Sequence, residues 1–299
     1  MYIKRFGYGD MDDKKITVLK LDNGIVLENQ RVENFAVANY FYDTNKEQLI
    51  KALYDDFILN PELLDSEKLL DEQFVEHALA REEAAISNML NQLQEDTSKI
   101  HISPNVSLMI IFLHSLAFRT KYFRDQMDDI NNSRLELINT ICDNMCLSED
   151  DRKKAVEENN TTGKDTQLYQ IMGLQPVLRT MKMLLENYNW YEAINNTELD
   201  FVISDNPAHM VRLAFNDICV PISCNKAIIL RIKDESAPIV SKDMPIDGVI
   251  NLSLNSVVAY NSLQLESGQK FLFGTSKAVN FMKNIWELDQ AIRKKNQNM

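Results

Sequence analysis

The chain has 299 residues, 45% of them hydrophobic and 25% charged, with only 8 glycines and 7 prolines. That composition excludes a disordered or low-complexity chain and allows one large or two modest domains with a real core. A formal net charge of -12 excludes a protein whose main task is non-specific gripping of nucleic-acid backbone, though not a local basic groove.

The four cysteines, Cys142, Cys146, Cys219 and Cys224, are too few for a disulfide framework in a chain of this length. Neither pair has the two-residue spacing of a zinc knuckle, so buried free thiols are expected. No apolar core follows Met1–Phe6, and the apolar run from Leu108 to Phe118 is interrupted by His114 and Ser115 and ended by Arg119. It is too short to span a bilayer, so a soluble, cytoplasmic protein without a membrane partner is expected.

Taken in order, the first 43 residues read as extended. Ile16 to Leu21 alternates like a half-buried strand, Asp22-Asn23-Gly24 is a hairpin turn, and Ile25-Val26-Leu27 returns. Phe35 to Tyr42 carries aromatics suited to a sheet. Helices follow. Thr44 and Glu47 resemble a capping box, with a short helix over Leu49–Phe57 ending near Asn60-Pro61. Asp65 or Ser66 caps a helix to about Gln94. Pro104 opens another that runs through Phe123 and on to Met145, with a break expected at Asn131-Asn132. Asn159–Gly163 is a loop, and Asp165–Tyr188 is helical with a break near Gly173 and Pro176.

After Trp190 short apolar runs read as strands: Leu199–Ser204, Ile218–Ile222 and Ala227–Ile232. Met244–Gly248 is a turn, Val249–Leu265 fits helix or strand, Phe271–Gly274 is a last strand, and Ser276 caps a terminal helix to about Arg293. Neither β region is large enough alone, so the two are expected to share a mixed or antiparallel sheet beside a central helical bundle. The expected fold is α+β in one compact unit: a β-rich start over 1–43, helices over 44–190, and a β-rich region with a terminal helix over 191–299.

The residues suited to chemistry are few. On the helix to Gln94, Val75, Leu79, Ile86, Leu90 and Leu93 form an apolar stripe, and Glu82 and Glu83 lie in or beside it. A carboxylate there must be paired or protonated. Arg119, in an apolar context on the next helix, could grip it, either as a structural ion pair or as part of a polar pocket. Ser204-Asp205-Asn206-Pro207 ends an apolar run. It could deliver a carboxylate and an amide to one point, or be a turn in which Asp and Asn bond their own backbone. His77 falls on an exposed helix edge, His101 in a loop, His114 in the core, and His209 four residues after Asp205. No Gly-rich phosphate loop, zincin helix or nucleophile elbow appears.

With Tyr2-Ile3-Lys4-Arg5-Phe6, Asn39–Asp43, Glu83, Arg119, Ser204-Asp205-Asn206-Pro207, Pro221-Ile222-Ser223 and Leu254-Asn255 in this order, the chain resembles domain-of-unknown-function family 4238 over nearly its whole length. The family's opening His-x-x-Pro is missing here, so residues upstream of Met1 could complete a site. The resemblance implies a polar constellation of Lys4, Glu83, Arg119 and Asp205 as the catalytic set. Ser204, Asn206 and Asn255 would bind, and no metal ligands are assigned. It supplies no cofactor. The family's bacterial and mobile-element members imply a defence or toxin-like role.

Three readings follow. In a hydrolase such as a nuclease, Asp205 and Glu83 would act as base or hold a divalent ion while Lys4 and Arg119 stabilise a developing anion. In a non-catalytic module the pocket would hold a small anionic ligand, a nucleic acid or a partner's tail, with Arg119 as clamp. In an interaction protein, including a homo-oligomer, the polar set would be structural.

Overall fold

The computed structural model describes residues 2–8, 14–35, 74–96, 100, 103–207, 217–233 and 248–297. The expected strand over Phe35–Tyr42 (apart from Phe35), the helix over Leu49–Phe57 with its caps, the first turns from Ser66, His101, His209 and the turn at Met244–Asp247 lie outside these residues.

The fold is α+β, and its strands come from the two ends of the chain. They are β1 (Lys15–Lys20), β2 (Val26–Arg31), β3 (Tyr188–Ile194), β4 (Ile203–Ser204), β5 (Asp217–Pro221), β6 (Lys226–Ile232), β7 (Val249–Asn251) and β8 (Phe271–Gly274). The described helices are α1 (Phe74–Glu95), α2 (Ser103–Phe118), α3 (Lys121–Asn144), α4 (Glu149–Asn159), α5 (Gly163–Met172), α6 (Leu174–Asn187), α7 (Leu254–Ser267) and α8 (Ser276–Gln297).

The strands form two sheets. The first runs β2-β1-β8-β4 and is antiparallel throughout. It joins both ends of the chain, as Thr17 faces Gly274 and Lys20 faces Phe271. The second runs β5-β6-β3-β7 and is mixed, because β3 pairs with β7 in parallel. The helix expected over Asp165–Tyr188 ends at Asn187, and β3, which had not been expected, begins at Tyr188. Trp190 and Tyr191 extend it instead, and aromatic residues suit a pleated surface better than a helix.

The chain divides into two compact units. One comprises Met1–Asn39, Ala80–Ala117 and Thr180–Met299, and the other Tyr40–Leu79 and Phe118–Arg179. In the first, period-two alternation splits the second sheet's residues between two cores. Tyr191, Ala193, Ala227 and Ile229 face a core shared with Ile16, Val18, Phe201, Ile203, Phe273, Val257 and Tyr260. Trp190, Ile218, Val220, Ile228 and Leu230 face the other way, against Ile86, Met89, Leu90 and Leu93 of α1 and Met109, Ile110 and Leu113 of α2. α8 packs on β1, β2 and β8.

His114 is buried on α2 with Nδ1 2.8 Å from Thr180 Oγ1, a satisfied core histidine as expected. The 3-10 turn Ile3–Phe6 is held from two sides. The Tyr2 hydroxyl donates to the Pro221 carbonyl, and its ring meets Phe112 edge-on at 4.9 Å. Arg5 donates to Gln94 Oε1 (2.9 Å), Asn91 Oδ1 (2.5 Å) and the Ser87 carbonyl (3.1 Å) along α1.

In the second unit the long helical run breaks at Arg119-Thr120, not at Asn131-Asn132. Thr120 caps α3 by accepting from Phe123 N, and the helix continues through both asparagines. α4, which had not been expected, starts behind the cap Ser148. Thr162 and Asp165 form a capping box on α5, and Gly173 separates α5 from α6 where the break was expected. Gly163 N donates to Asp128 Oδ1 at 2.6 Å, a contact that needs glycine. A Cβ there would stand 2.2 Å from the Arg124 carbonyl oxygen.

Among the described residues no helix is long and apolar enough to cross a membrane.

Candidate functional site

β4 is two residues long because Pro207 cannot donate to a ladder. Its backbone nevertheless continues as an ordered edge. Ile203 and Asp205 turn toward β8, and Asp205 N donates to the Phe271 carbonyl at 3.1 Å. Even positions turn the other way, toward α7, where side chains take the place of a neighbouring strand.

Asn261 Oδ1 accepts from Val202 N (3.0 Å) and its Nδ2 donates to the Asp200 carbonyl (2.9 Å). Gln264 Oε1 accepts from Ser204 N (3.0 Å), and its Nε2 donates to the Pro207 carbonyl (2.9 Å). A carboxamide carries the same donor and acceptor as a peptide group. Strand residues two apart present N–H groups about 6.6 Å apart, close to the roughly 5–6 Å between helix positions three apart. Asn261 and Gln264 therefore act as peptide-like rungs. Both are buried, as are Ser204, Asn206 and Ser267.

Asp205 sits at the far end of this edge, half-buried. Its Oδ1 accepts from Gln269 N (2.8 Å) and its Oδ2 from Lys270 N (2.9 Å). Two successive backbone N–H groups thus converge on one carboxylate, as in an anion nest. Gly268 permits the approach, since a Cβ there would lie 2.6 Å from Leu21 Cδ1 and 3.2 Å from Ser204 Cβ. Burial pushes the Asp205 carboxyl above the ordinary aspartate range, and the backbone N–H bonds pull it back only in part. The expected alternative, Asp205 bonding its own local turn, is corrected in its partner. The turn it fixes is the one between α7 and β8, more than sixty residues along the chain.

Ser204 and Asn206 are committed to the same framework. Ser204 Oγ lies 3.2 Å from both Gln264 Oε1 and Ser267 Oγ. Asn206 Nδ2 donates to the Ser267 carbonyl at 3.2 Å. Ser204, Asp205 and Asn206 are thus brought together around the end of α7. Asn255 is exposed in the first turn of that helix.

Lys4 lies on the 3-10 turn and pairs with Glu33 at 2.5 Å. Glu82 and Glu83 are both partly exposed on α1, while Val75, Leu79, Ile86, Leu90 and Leu93 are buried as the stripe required. Arg119 lies in the bend after α2 rather than within a helix. Gln167 fixes that bend, its Nε2 donating to the carbonyls of Phe118 (2.8 Å) and Thr120 (3.0 Å). Glu83 belongs to the first compact unit and Arg119 to the second.

A second polar cluster had not been expected. Asp217 is buried at the start of β5, with Tyr260 of α7 donating to its Oδ2 at 3.3 Å and Arg231 Nε 3.8 Å from its Oδ1. Burial raises the Asp217 carboxyl, opposed by Arg231 and by the Tyr260 hydrogen bond. Burial likewise raises the Tyr260 hydroxyl and the nearby Cys219 thiol. One signal was available in the sequence. Arg231 alternates with Ala227 and Ile229 on the inward face of a strand, where a cation needs a carboxylate.

All four cysteines are free, but only Cys142 is fully buried; Cys146 is exposed and Cys219 and Cys224 are half-buried. Cys146 thus departs from the expected burial, because it follows the last turn of α3 with a positive φ of 52°. Among the described residues no three His, Cys, Asp or Glu side chains group as metal ligands.

A family model described as a protein of unknown function, DUF4238, matches residues 1–278. Neither the curated proteins nor the solved structures compared gave a match.

Proposed function

The chain belongs to the DUF4238 family, and from that premise we propose that it is a hydrolase of an anionic ester, with Asp205 as the group that activates water. One observation carries this reading. Asp205 is a half-buried carboxylate whose Oδ1 is held by Gln269 N and whose Oδ2 is held by Lys270 N, and whose proton affinity is nonetheless raised. A base held in one orientation, with its pKa moved toward neutrality, is better suited to accept a proton than a mobile surface aspartate.

The substrate class is a phosphodiester, which makes the protein nuclease-like, in keeping with a defence or toxin-like role. A water oxygen attacks phosphorus as its proton passes to Asp205, the ester P–O bond breaks, and the departing alkoxide takes up a proton from solvent, to which Asp205 later returns its own. Lys4 is a cation suited to the charge that develops, and Glu83, in the same compact unit as Asp205, is a second carboxylate. Ser204 and Asn206 contribute by holding the edge that carries Asp205. Asn255 is an exposed polar group for contacting substrate.

The test is cleavage of bis(4-nitrophenyl) phosphate and of single- and double-stranded DNA and RNA, with and without Mg²⁺ or Mn²⁺. Wild type is compared with Asp205→Asn and Asp205→Ala. Loss of at least a hundredfold in both variants is expected. Equal rates in wild type and variants, or no cleavage by wild type, overturn the reading.

A second reading, a non-catalytic module for an anionic ligand with Arg119 as clamp, is favoured by the engagement of both Asp205 oxygens within the turn. Binding of an oligonucleotide that Arg119→Ala abolishes, with no turnover, would select it.

A further inference from the structure

Gln264 brackets Asp205. Its carboxamide holds the backbone N–H of the residue before it and the carbonyl two residues after it, Ser204 N at 3.0 Å and Pro207 O at 2.9 Å. On the opposite side Asp205 is joined to β8 by a backbone bond to Phe271 and to the turn by its two carboxylate bonds. The strand segment is therefore clamped between a true strand and a helix that imitates one. The same helix carries Ser267, whose carbonyl holds Asn206 and whose hydroxyl meets Ser204. It leads directly through Gly268 into Gln269 and Lys270, whose N–H groups bind Asp205. One helix end thus fixes both the backbone that carries the carboxylate and the two donors that orient its oxygens.

We propose that Gln264, supported by Asn261 one helical turn earlier, is the positioning residue of Asp205, setting the carboxylate's place and orientation through the backbone of Ser204 and Pro207. Its part in catalysis rests on the hydrolase reading; its part in placing the carboxylate does not. Gln264 touches no reacting atom. A buried glutamine on α7 is explained by the two backbone groups it satisfies, which an apolar residue would leave without these partners. The arrangement also makes α7 the element through which a disturbance would reach Asp205. Tyr260, one residue before Asn261, ties that helix to Asp217 on the other sheet at 3.3 Å.

The experiment compares wild type, Gln264→Met and Gln264→Glu. Methionine keeps the length of the side chain without its amide. Glutamate keeps an acceptor for Ser204 N and, when ionised, loses the donor to Pro207. The readouts are the titration of the Asp205 carboxyl by ¹³C NMR and the amide exchange of residues 204, 269 and 270.

In Gln264→Met, exchange at Ser204 is expected to rise at least tenfold. The Asp205 midpoint should move down toward the ordinary aspartate value, since burial is the main cause of its elevation. Gln264→Glu keeps the acceptor, so exchange at Ser204 should rise less, while its added carboxylate pushes the Asp205 midpoint up directly; if the methionine variant does not fold, Gln264→Glu carries the test through exchange at residues 269 and 270, where unchanged rates overturn the proposal. An Asp205 midpoint unchanged in a folded Gln264→Met overturns the proposal, whatever happens to exchange at Ser204. Where wild type cleaves phosphodiesters, the acid limb of the kcat profile should move with the NMR midpoint. A moved midpoint in a protein without hydrolytic activity retains the positioning role and removes the hydrolase reading alone.

Discussion

Asn261→Leu isolates the first rung of the carboxamide ladder. Leucine nearly matches asparagine in size, so little of the loss comes from a cavity. What goes is the acceptor for Val202 N and the donor to the Asp200 carbonyl. Val202 and Asn261 are both wholly buried, so that N–H is left without water or protein. An orphaned buried group costs about 1–3 kcal/mol. Asp200 is only half-buried and its carbonyl can turn to solvent, so the sum is about 3 kcal/mol rather than the full about 6.

Both tryptophans, Trp190 and Trp286, lie in the first compact unit, so their fluorescence follows this part of the chain in a urea titration. With an m of about 3 kcal/mol/M, the midpoint should fall by about 1 M at unchanged m. A fall below about 0.2 M would mean that water replaces the amide at no cost, and that α7 does not complete the sheet in the sense argued above. Asn261→Asp sharpens the comparison. It keeps the acceptor for Val202 N but sets a second carboxylate oxygen against the Asp200 carbonyl. It should be poorly stable at pH 7 and partly recover at pH 4, where protonation returns a donor.

Asp217 gives a pH prediction of definite sign. Its native pKa is raised above the ordinary 3.8, so the native state holds this proton more tightly than the unfolded one. The associated stability is complete below pH 3.8 and is lost as pH rises through the native value. The stability of wild type relative to Asp217→Asn should therefore shrink between pH 3.5 and pH 7. Paired urea titrations in which the difference grows with pH would refute this. In the second unit, Gly163→Ala sets a Cβ against the Arg124 carbonyl and Asp128 and should cost about 2–4 kcal/mol. Hydrogen exchange over α5 should rise while the tryptophan transition stays in place; unaltered exchange would show that the contact relaxes freely.

Legibility in the sequence followed the range of the forces involved. The β1–β2 hairpin, the strand at Phe271 and the α1 stripe are local patterns of period or turn chemistry, and the structure has them. The break at Thr120 was misplaced because a threonine cap competes with the more conspicuous Asn131-Asn132, whose helix is continued by packing in its own unit. β3 was hidden because nothing in the linear pattern marks where an amphipathic helix gives way to an aromatic strand at Tyr188. For the site, Ser204-Asp205-Asn206-Pro207 could be singled out as a polar strand end, but its partners could not. Asn261 and Gln264 stand in a stretch equally compatible with strand, and their meaning depends on Val202 and Ser204 some sixty residues earlier. Asp217 and Arg231 are paired only by sheet register.

The central place of β1 between β2 and β8 bears on how the protein is made. β1 finds its first neighbour within a few residues, but its second only when Phe271 has been synthesised, 251 residues after Lys20. At about 5–20 residues per second, a ribosome leaves that edge uncovered for about 12–50 s. During that time the nascent hairpin presents unpaired backbone to any passing strand. A message truncated ahead of the β8 codons would yield a chain whose first sheet never closes. Such a product should be retained by holding chaperones and degraded, even though most of its sequence has been translated.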